Sequence, residues 1–201
     1  MTYRHRPFMT LACAGAALLL LPACSSGSPE AGRPNTTPGG TSAPATTQTA
    51  PTATPSIPSA APERPKPAEG LSLAAAESFV YYYSDLLNYA SDTGVSTELL
   101  AASDSGCERC HLYADFVKKS NAANGLLTGD YHEHTKEVSE LVRGESGRLG
   151  GSSTVTVGAY VSKETASATP ISSKPKKYAR EFALSPQGGN WVMYEMKFVE
   201  Q

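Results

Sequence analysis

The 201-residue chain has no apolar run long enough to cross a bilayer as a permanent helix. The stretch from Phe8 to Leu21 stops short of the ~20 residues that a span requires. Between Ser25 and Glu69 there is no aromatic residue, and Ile57 is the only large aliphatic side chain. Cysteine is sparse, and its four copies are too scattered for a small disulfide scaffold. Charge of one sign is also missing: the net charge of -2 gives no reason to propose a nucleic-acid partner. No G-x-S-x-G elbow, H-E-x-x-H helix, phosphate loop or Ser-His-Asp order is present, so no catalytic residue is assigned and no cofactor is implied. These absences weigh against an enzyme without excluding one.

What is present is unevenly spread. Ten of the fifteen prolines lie between Ser25 and Glu69, and fourteen of the sixteen aromatics lie after Gly70. The chain therefore reads as three parts. Residues 1–23 carry Arg4 and Arg6, then the apolar run, then Pro22 and Ala23, the pattern of an export signal. Leu21-Pro22-Ala23-Cys24 resembles a bacterial lipobox. That resemblance implies a diacylglyceryl group on Cys24 (palmitate-type acyl chains) and a place on the outer face of the cell membrane. The alternative is an ordinary secretory signal with an incidental cysteine.

Residues 24–69 follow as the lipidated cysteine and a disordered tether. Of residues 25–69, 32 are Pro, Ala, Ser or Thr. Such a composition cannot bury enough apolar area to offset the cost of ordering its backbone. Fully extended, it would reach about 140 Å, at ~3.1 Å per residue.

Residues 70–201 form the folded domain, with 12 basic and 16 acidic residues. Its mildly acidic balance argues against direct binding of acidic wall polymers. Ser72 is a plausible helix cap, and Phe79, Tyr83, Leu86, Leu87 and Ala90 follow helical spacing up to Gly94. A short helix is expected after Ser96. A third is expected from Cys107–Cys110 to Asn124-Gly125, carrying Leu112, Tyr113, Phe116 and Val117. The remainder reads as strands: Thr154 to Val161, Tyr178 to Leu184, and Trp191 to Val199 after a Pro/Gly turn. Val192, Tyr194, Met196 and Phe198 would share one face. Tyr131 to Arg143 also leans to strand. Gly144–Ser153 reads as a mobile glycine-rich loop. Helices first and strands after predict an α+β fold, with helices packed on a curved antiparallel sheet.

These features together resemble a family catalogued as domain of unknown function 6318, known from actinobacterial lipoproteins. They are the lipobox, the Pro/Thr tether, "FVYYYSDLLNYASDTGVSTELLAASDSGCERC" and "GGNWVMYEM". The resemblance covers roughly Leu73 to Phe198. The order of elements is similar to the NTF2-like (cystatin-like) cone. The resemblance implies a fold and an address, and no chemistry.

Three constellations could carry chemistry. Cys107-Glu108-Arg109-Cys110 in an exported protein is expected to form a disulfide. Its rivals are thiol-disulfide exchange and c-type haem attachment, since His111 completes the C-x-x-C-H motif; Met193, Met196, His132 or His134 would then supply the second axial ligand. His132 and His134, if on a strand, would share a face and could hold zinc with a carboxylate. The alternative is a polar strand facing solvent. Tyr82, Asp85, Trp191 and Tyr194 could line a pocket within the cone, with Asp115 as an alternative polar group. The alternative there is ordinary core packing. Lys174, Lys176, Lys177 and Arg180 read as a solvated basic edge. The function these readings favour is non-enzymatic: a membrane-tethered domain that binds an unknown protein or small molecule in the cell envelope. The alternative is an enzyme or small-molecule binder using the cone.

Overall fold

The computed structural model describes residues 57–200. The signal segment, Cys24 and the tether as far as residue 56 lie outside the described residues. The packed chain begins upstream of Gly70. A 3-10 turn at Lys66–Ala68 buries Ala68 completely. Arg64 donates to the Trp191 carbonyl at 3.1 Å and lies 4.8 Å from the centre of the Phe79 ring. Composition alone assigns these residues to the tether, because proline content does not reveal that one arginine finds an aromatic seat.

Helix α1 (Leu73–Thr93) starts where the Ser72 hydroxyl accepts the Ala75 N–H, and it stops at Gly94. Phe79, Tyr83, Leu86, Leu87 and Ala90 are buried along it, as their spacing predicts, and Val80 is buried beside them. α2 (Thr97–Ala101) is a single short turn of helix. α3 (Glu108–Lys119) is shorter than expected. Beyond Lys119 side-chain amides replace the helical donors: Asn121 Nδ2 donates to the Val117 carbonyl, and Asn124 Nδ2 to that of Lys119. The face of α3 also differs from the prediction. Leu112 and Phe116 are exposed at 62% and 45%, while Cys110, Ala114 and Val117 turn inward.

The strands are β1 (Leu127–Gly129), β2 (His134–Val138), β3 (Val142–Arg143), β4 (Leu149–Val157), β5 (Tyr160–Ser162), β6 (Ile171–Ser173), β7 (Lys176–Gln187) and β8 (Asn190–Glu200). The fold is α+β: helices followed by antiparallel strands. The strands fall into two sheets. One runs β2-β4-β7-β8, with β3 pairing β4 beside β2; the other is β1-β5-β6. Register shifts at Thr135/Glu137 and at Ala183/Leu184 bend the larger sheet. The second shift leaves Tyr194 without an opposite residue on β7, so the inward face of β8 changes phase. Trp191 and Met193 point in before it and Met196 after it, while Phe198 is 40% exposed. Strict alternation across β8 misses this.

Two further differences have local causes. The strand expected from Thr154 to Val161 is broken at Gly158-Ala159, and β5 leaves for the second sheet. The expected glycine-rich loop instead enters β4, which pairs β7 from Leu149 to Val157. A Cβ at Gly151 would lie 2.6 Å from Leu141 Cδ2 and 3.0 Å from the Phe182 ring. The glycine is there for close packing rather than mobility. The edge of β8 is covered where Asp104 N–H donates to the Met193 carbonyl and Met193 N–H to that of Ala102.

Gly129 joins β1 to β5 with φ +98°, and a Cβ there would sit 2.7 Å from the Ala159 carbonyl oxygen. Gly129→Ala therefore meets both backbone strain and a backbone clash. It is expected to lower folding stability by about 1–3 kcal/mol, read as an earlier midpoint in urea denaturation.

Candidate functional site

The residues proposed from sequence as a pocket do not meet. Trp191 is fully buried, and its Nε1 donates to the Ser72 carbonyl at 3.0 Å. Tyr82 is buried beneath Arg64, 5.4 Å from the guanidinium to the ring centre. Tyr194 stacks under Arg148 at 3.6 Å. Asp85 is exposed beside Pro58, Ala60 and Pro62. Asp115 is exposed and pairs Lys118 at 3.6 Å. Helical spacing gives the direction of each side chain and not the sheet residue it meets.

Cys107 and Cys110 form a disulfide, with Cα atoms 5.3 Å apart. Cys107 caps α3, and its Sγ accepts the Cys110 N–H at 3.3 Å. Both sulfurs are thereby committed, which leaves no thiol for a haem thioether while the bond is intact. The exposed His111 places its Nε2 3.3 Å from the Ser105 carbonyl.

His132 and His134 go to different carboxylates. β2 begins only at His134, so the alternation argument does not reach His132. His132 Nε2 lies 2.8 Å from Asp92 Oδ1, and His134 Nε2 lies 3.7 Å from Asp130. Among the described residues no three His, Cys, Asp or Glu side chains are grouped to hold a metal.

The residue between the two histidines organises the site. Glu133 is 8% exposed and forms an ion pair with Arg180, which is 0% exposed. Arg180 is thus the opposite of a solvated edge. It points into the protein from β7, because its register partner Ser153 is buried on the same face. Arg180 Nη1 donates to Ser84 Oγ at 3.0 Å, and Ser84 in turn lies 2.7 Å from Thr135 Oγ1. Burial pulls the guanidinium pKa down to about 10, which leaves it charged at neutral pH. Asn88 of α1 fixes the Glu133 backbone from both sides. Its Oδ1 accepts the Glu133 N–H at 2.8 Å, and its Nδ2 donates to the Glu133 carbonyl at 2.9 Å.

Above this pair lies a cleft of about 130 Å³. Tyr113 and Phe116 come from α3, Leu127 from β1, Tyr160 from β5 and Tyr178 from β7; Tyr131 and Glu133 precede β2. Ser91, Val157 and Lys176 complete the lining. Tyr178 donates to Glu133 Oε1 at 2.6 Å, and Tyr131 to Asp92 Oδ1 at 2.6 Å. Tyr113 donates to the Leu87 carbonyl at 3.2 Å and also contacts Ser91 Oγ at 2.8 Å. Burial pushes the Tyr113 phenol up to about 12 and lifts Tyr178 and Tyr131 further, so all three stay protonated at neutral pH. At the rim, Lys176 Nζ is held by Glu200 at 2.8 Å. No linear motif marks this cleft, because its walls come from seven separate stretches of chain. The nearest signal in the sequence is the isolated carboxylate inside His132-Glu133-His134.

Comparison with known proteins adds a family. The model of a family of unknown function, DUF6318, matches residues 40–197. No curated protein matches the chain. Among solved structures, the intermembrane space region of the chloroplast protein ARC6 aligns at 13% identity, covering 65% of this chain and 98% of that one, with a TM-score of 0.49. Aln2 from a Streptomyces species aligns at 12% identity over 63% of this chain and 89% of its own, with a TM-score of 0.41. A variant of the chain named Rd1NTF2_05 aligns at 14% identity over 60% and 96%, with a TM-score of 0.38. At these identities and scores no function carries across.

Proposed function

We propose, from the premise that the chain belongs to the DUF6318 family of unknown function, that it is an exported, lipid-anchored binding protein whose tyrosine-lined cleft holds a small ligand. One observation carries this reading: each carboxylate and each cation around the cleft is paired with a partner in the fold. Glu133 is held by Arg180 and Tyr178, Asp92 by Tyr131 and His132, and Lys176 by Glu200. A general base or nucleophile needs a free lone pair near a substrate atom. Groups fixed in this way favour a shaped receptor over a turnover site. The address rests on the lipobox-like Leu21-Pro22-Ala23-Cys24 and the proline-rich stretch behind it.

The address has a direct test. Intact mass of the membrane-extracted protein is expected to show acyl groups, and Cys24→Ala should release the chain from the membrane fraction. Reduction should add one hydrogen to each of Cys107 and Cys110. An unmodified Cys24 in a freely secreted chain would sink the anchor. The cleft is tested by ligand-detected NMR of small polar molecules against the mature chain. Hits should be lost in Val157→Trp, which fills the cleft from the end of β4, with the melting temperature as a folding control. A hit set indifferent to that substitution would place binding elsewhere.

A further inference from the structure

We propose that the ligand of this cleft is a small organic cation, an alkylammonium head group; this deepens the binding reading above and rests on it. The argument starts from where each proton goes. A phenol has one hydrogen to donate. Those of Tyr131, Tyr178 and Tyr113 are given to Asp92, Glu133 and the Leu87 carbonyl. With the Tyr113 hydrogen so used, the bond between Tyr113 and Ser91 takes its hydrogen from Ser91. These groups therefore meet a ligand as acceptors only. The Lys176 ammonium at the rim is paired with Glu200. Of the polar side chains lining the cleft, only the Tyr160 hydroxyl has no partner among the described residues. The free donors left are the Tyr160 hydroxyl and the rim ammonium of Lys176, which gives one of its three hydrogens to Glu200; deeper in, the lining offers acceptors, which suits a ligand that brings its own positive charge.

Aromatic surface and buried charge point the same way. Tyr113, Phe116, Tyr131, Tyr160 and Tyr178 all line this one small cleft. The negative face of an aromatic ring attracts a cation lying within about 6 Å. Behind the rings are two buried carboxylates, Asp92 and Glu133, against one buried guanidinium, Arg180. Asp92 Oδ1 accepts from the Tyr131 hydroxyl and lies 2.8 Å from His132 Nε2. A volume of about 130 Å³ lies below the usual 300–1,000 Å³ of drug-sized sites and suits a head group of a few heavy atoms.

The test compares choline with 3,3-dimethylbutan-1-ol, its uncharged isostere, on the full mature chain. The readout is the ring resonances of labelled tyrosine. Choline is expected to bind at least about tenfold tighter, the range of cation–π attraction in a partly desolvated site. Asp92→Asn should shrink that ratio. Because Asp92 is buried and its replacement could cost folding, Tyr160→Leu serves as the second variant. It removes a half-buried ring face and should weaken choline more than the alcohol. Equal or tighter binding of the alcohol overturns the cation preference and leaves the cleft reading standing. No response from either probe overturns the cation inference, and the cleft reading is then decided by the Val157→Trp screen.

Discussion

Arg180→Met is expected to lower folding stability by about 3–5 kcal/mol, the usual result of leaving one partner of a buried ion pair without its counter-charge. Glu133 would then be a carboxylate at 8% exposure with only the Tyr178 hydroxyl to satisfy it. The loss should depend on pH in a definite sense. Burial without a cation raises the carboxyl pKa of the folded variant above its unfolded value of ~4.3. A raised folded pKa contributes stability below the unfolded pKa, and that contribution is lost as pH rises through the folded value. The variant should therefore come closest to the parent in mildly acidic urea titrations and fall furthest behind at pH 7 and above. Adding Glu133→Gln to Arg180→Met removes the stranded charge and should recover most of the loss at neutral pH. A double variant as unstable as the single one would show that Arg180 acts through packing alone. Its position 5.6 Å from the Phe198 ring centre makes packing the natural rival.

Trp191→Ala is expected to cost about 3–5 kcal/mol, the range for deleting a large buried aromatic. Trp191 joins three parts of the molecule. Its ring is fully buried in the core, its Nε1 holds the Ser72 carbonyl at the start of α1, and its own carbonyl accepts from Arg64. Arg143 lies 5.2 Å from its ring centre. Truncation leaves a cavity and also leaves the Ser72 carbonyl without this donor. Trp191→Phe separates the two effects. It keeps most of the apolar volume and should lose only about 1–2 kcal/mol, the cost of an unmet buried hydrogen bond plus a small void. Equal losses in the two variants would place the effect in the hydrogen bond alone. Chemical denaturation followed by tyrosine fluorescence reads both.

The elements that sequence foretells well here are those whose pattern is local. The helix from Ser72 to Gly94 announces itself by a cap, a 3.6-residue stripe and a stop. The β7–β8 hairpin announces itself by alternation on both sides of Gly188-Gly189. What escapes is set by a distant partner. Gly150 and Gly151 look like a loop until Phe182 is seen against the second of them. Arg180 looks like surface because lysines precede it, and nothing within ten residues names Glu133 as its partner. Asn88 reads as a polar helix position, and only the fold shows that it pins the Glu133 backbone. The cleft is hidden from the sequence for the same reason. Its tyrosines are widely separated in the chain, and their convergence depends on how two sheets meet α1 and α3.

The segment ahead of α1 has a mechanical consequence. A pull on the chain from its N-terminal side does not reach the first turn of α1 directly. It meets Arg64 on the Trp191 carbonyl and the Gly70 N–H on Asn190 Oδ1 first, at 3.1 and 2.8 Å. Both acceptors belong to β8, which is hydrogen-bonded to β7 along its length. Force is thereby handed from the incoming strand of chain to the longest hairpin of the sheet, where many bonds share it. The helix that carries Asn88 takes its share through the Phe79 and Tyr82 rings under Arg64, beside the bonds to β8. Tension applied ahead of Arg64 is thus spread over β8 and α1 before it reaches the residues that line the cleft.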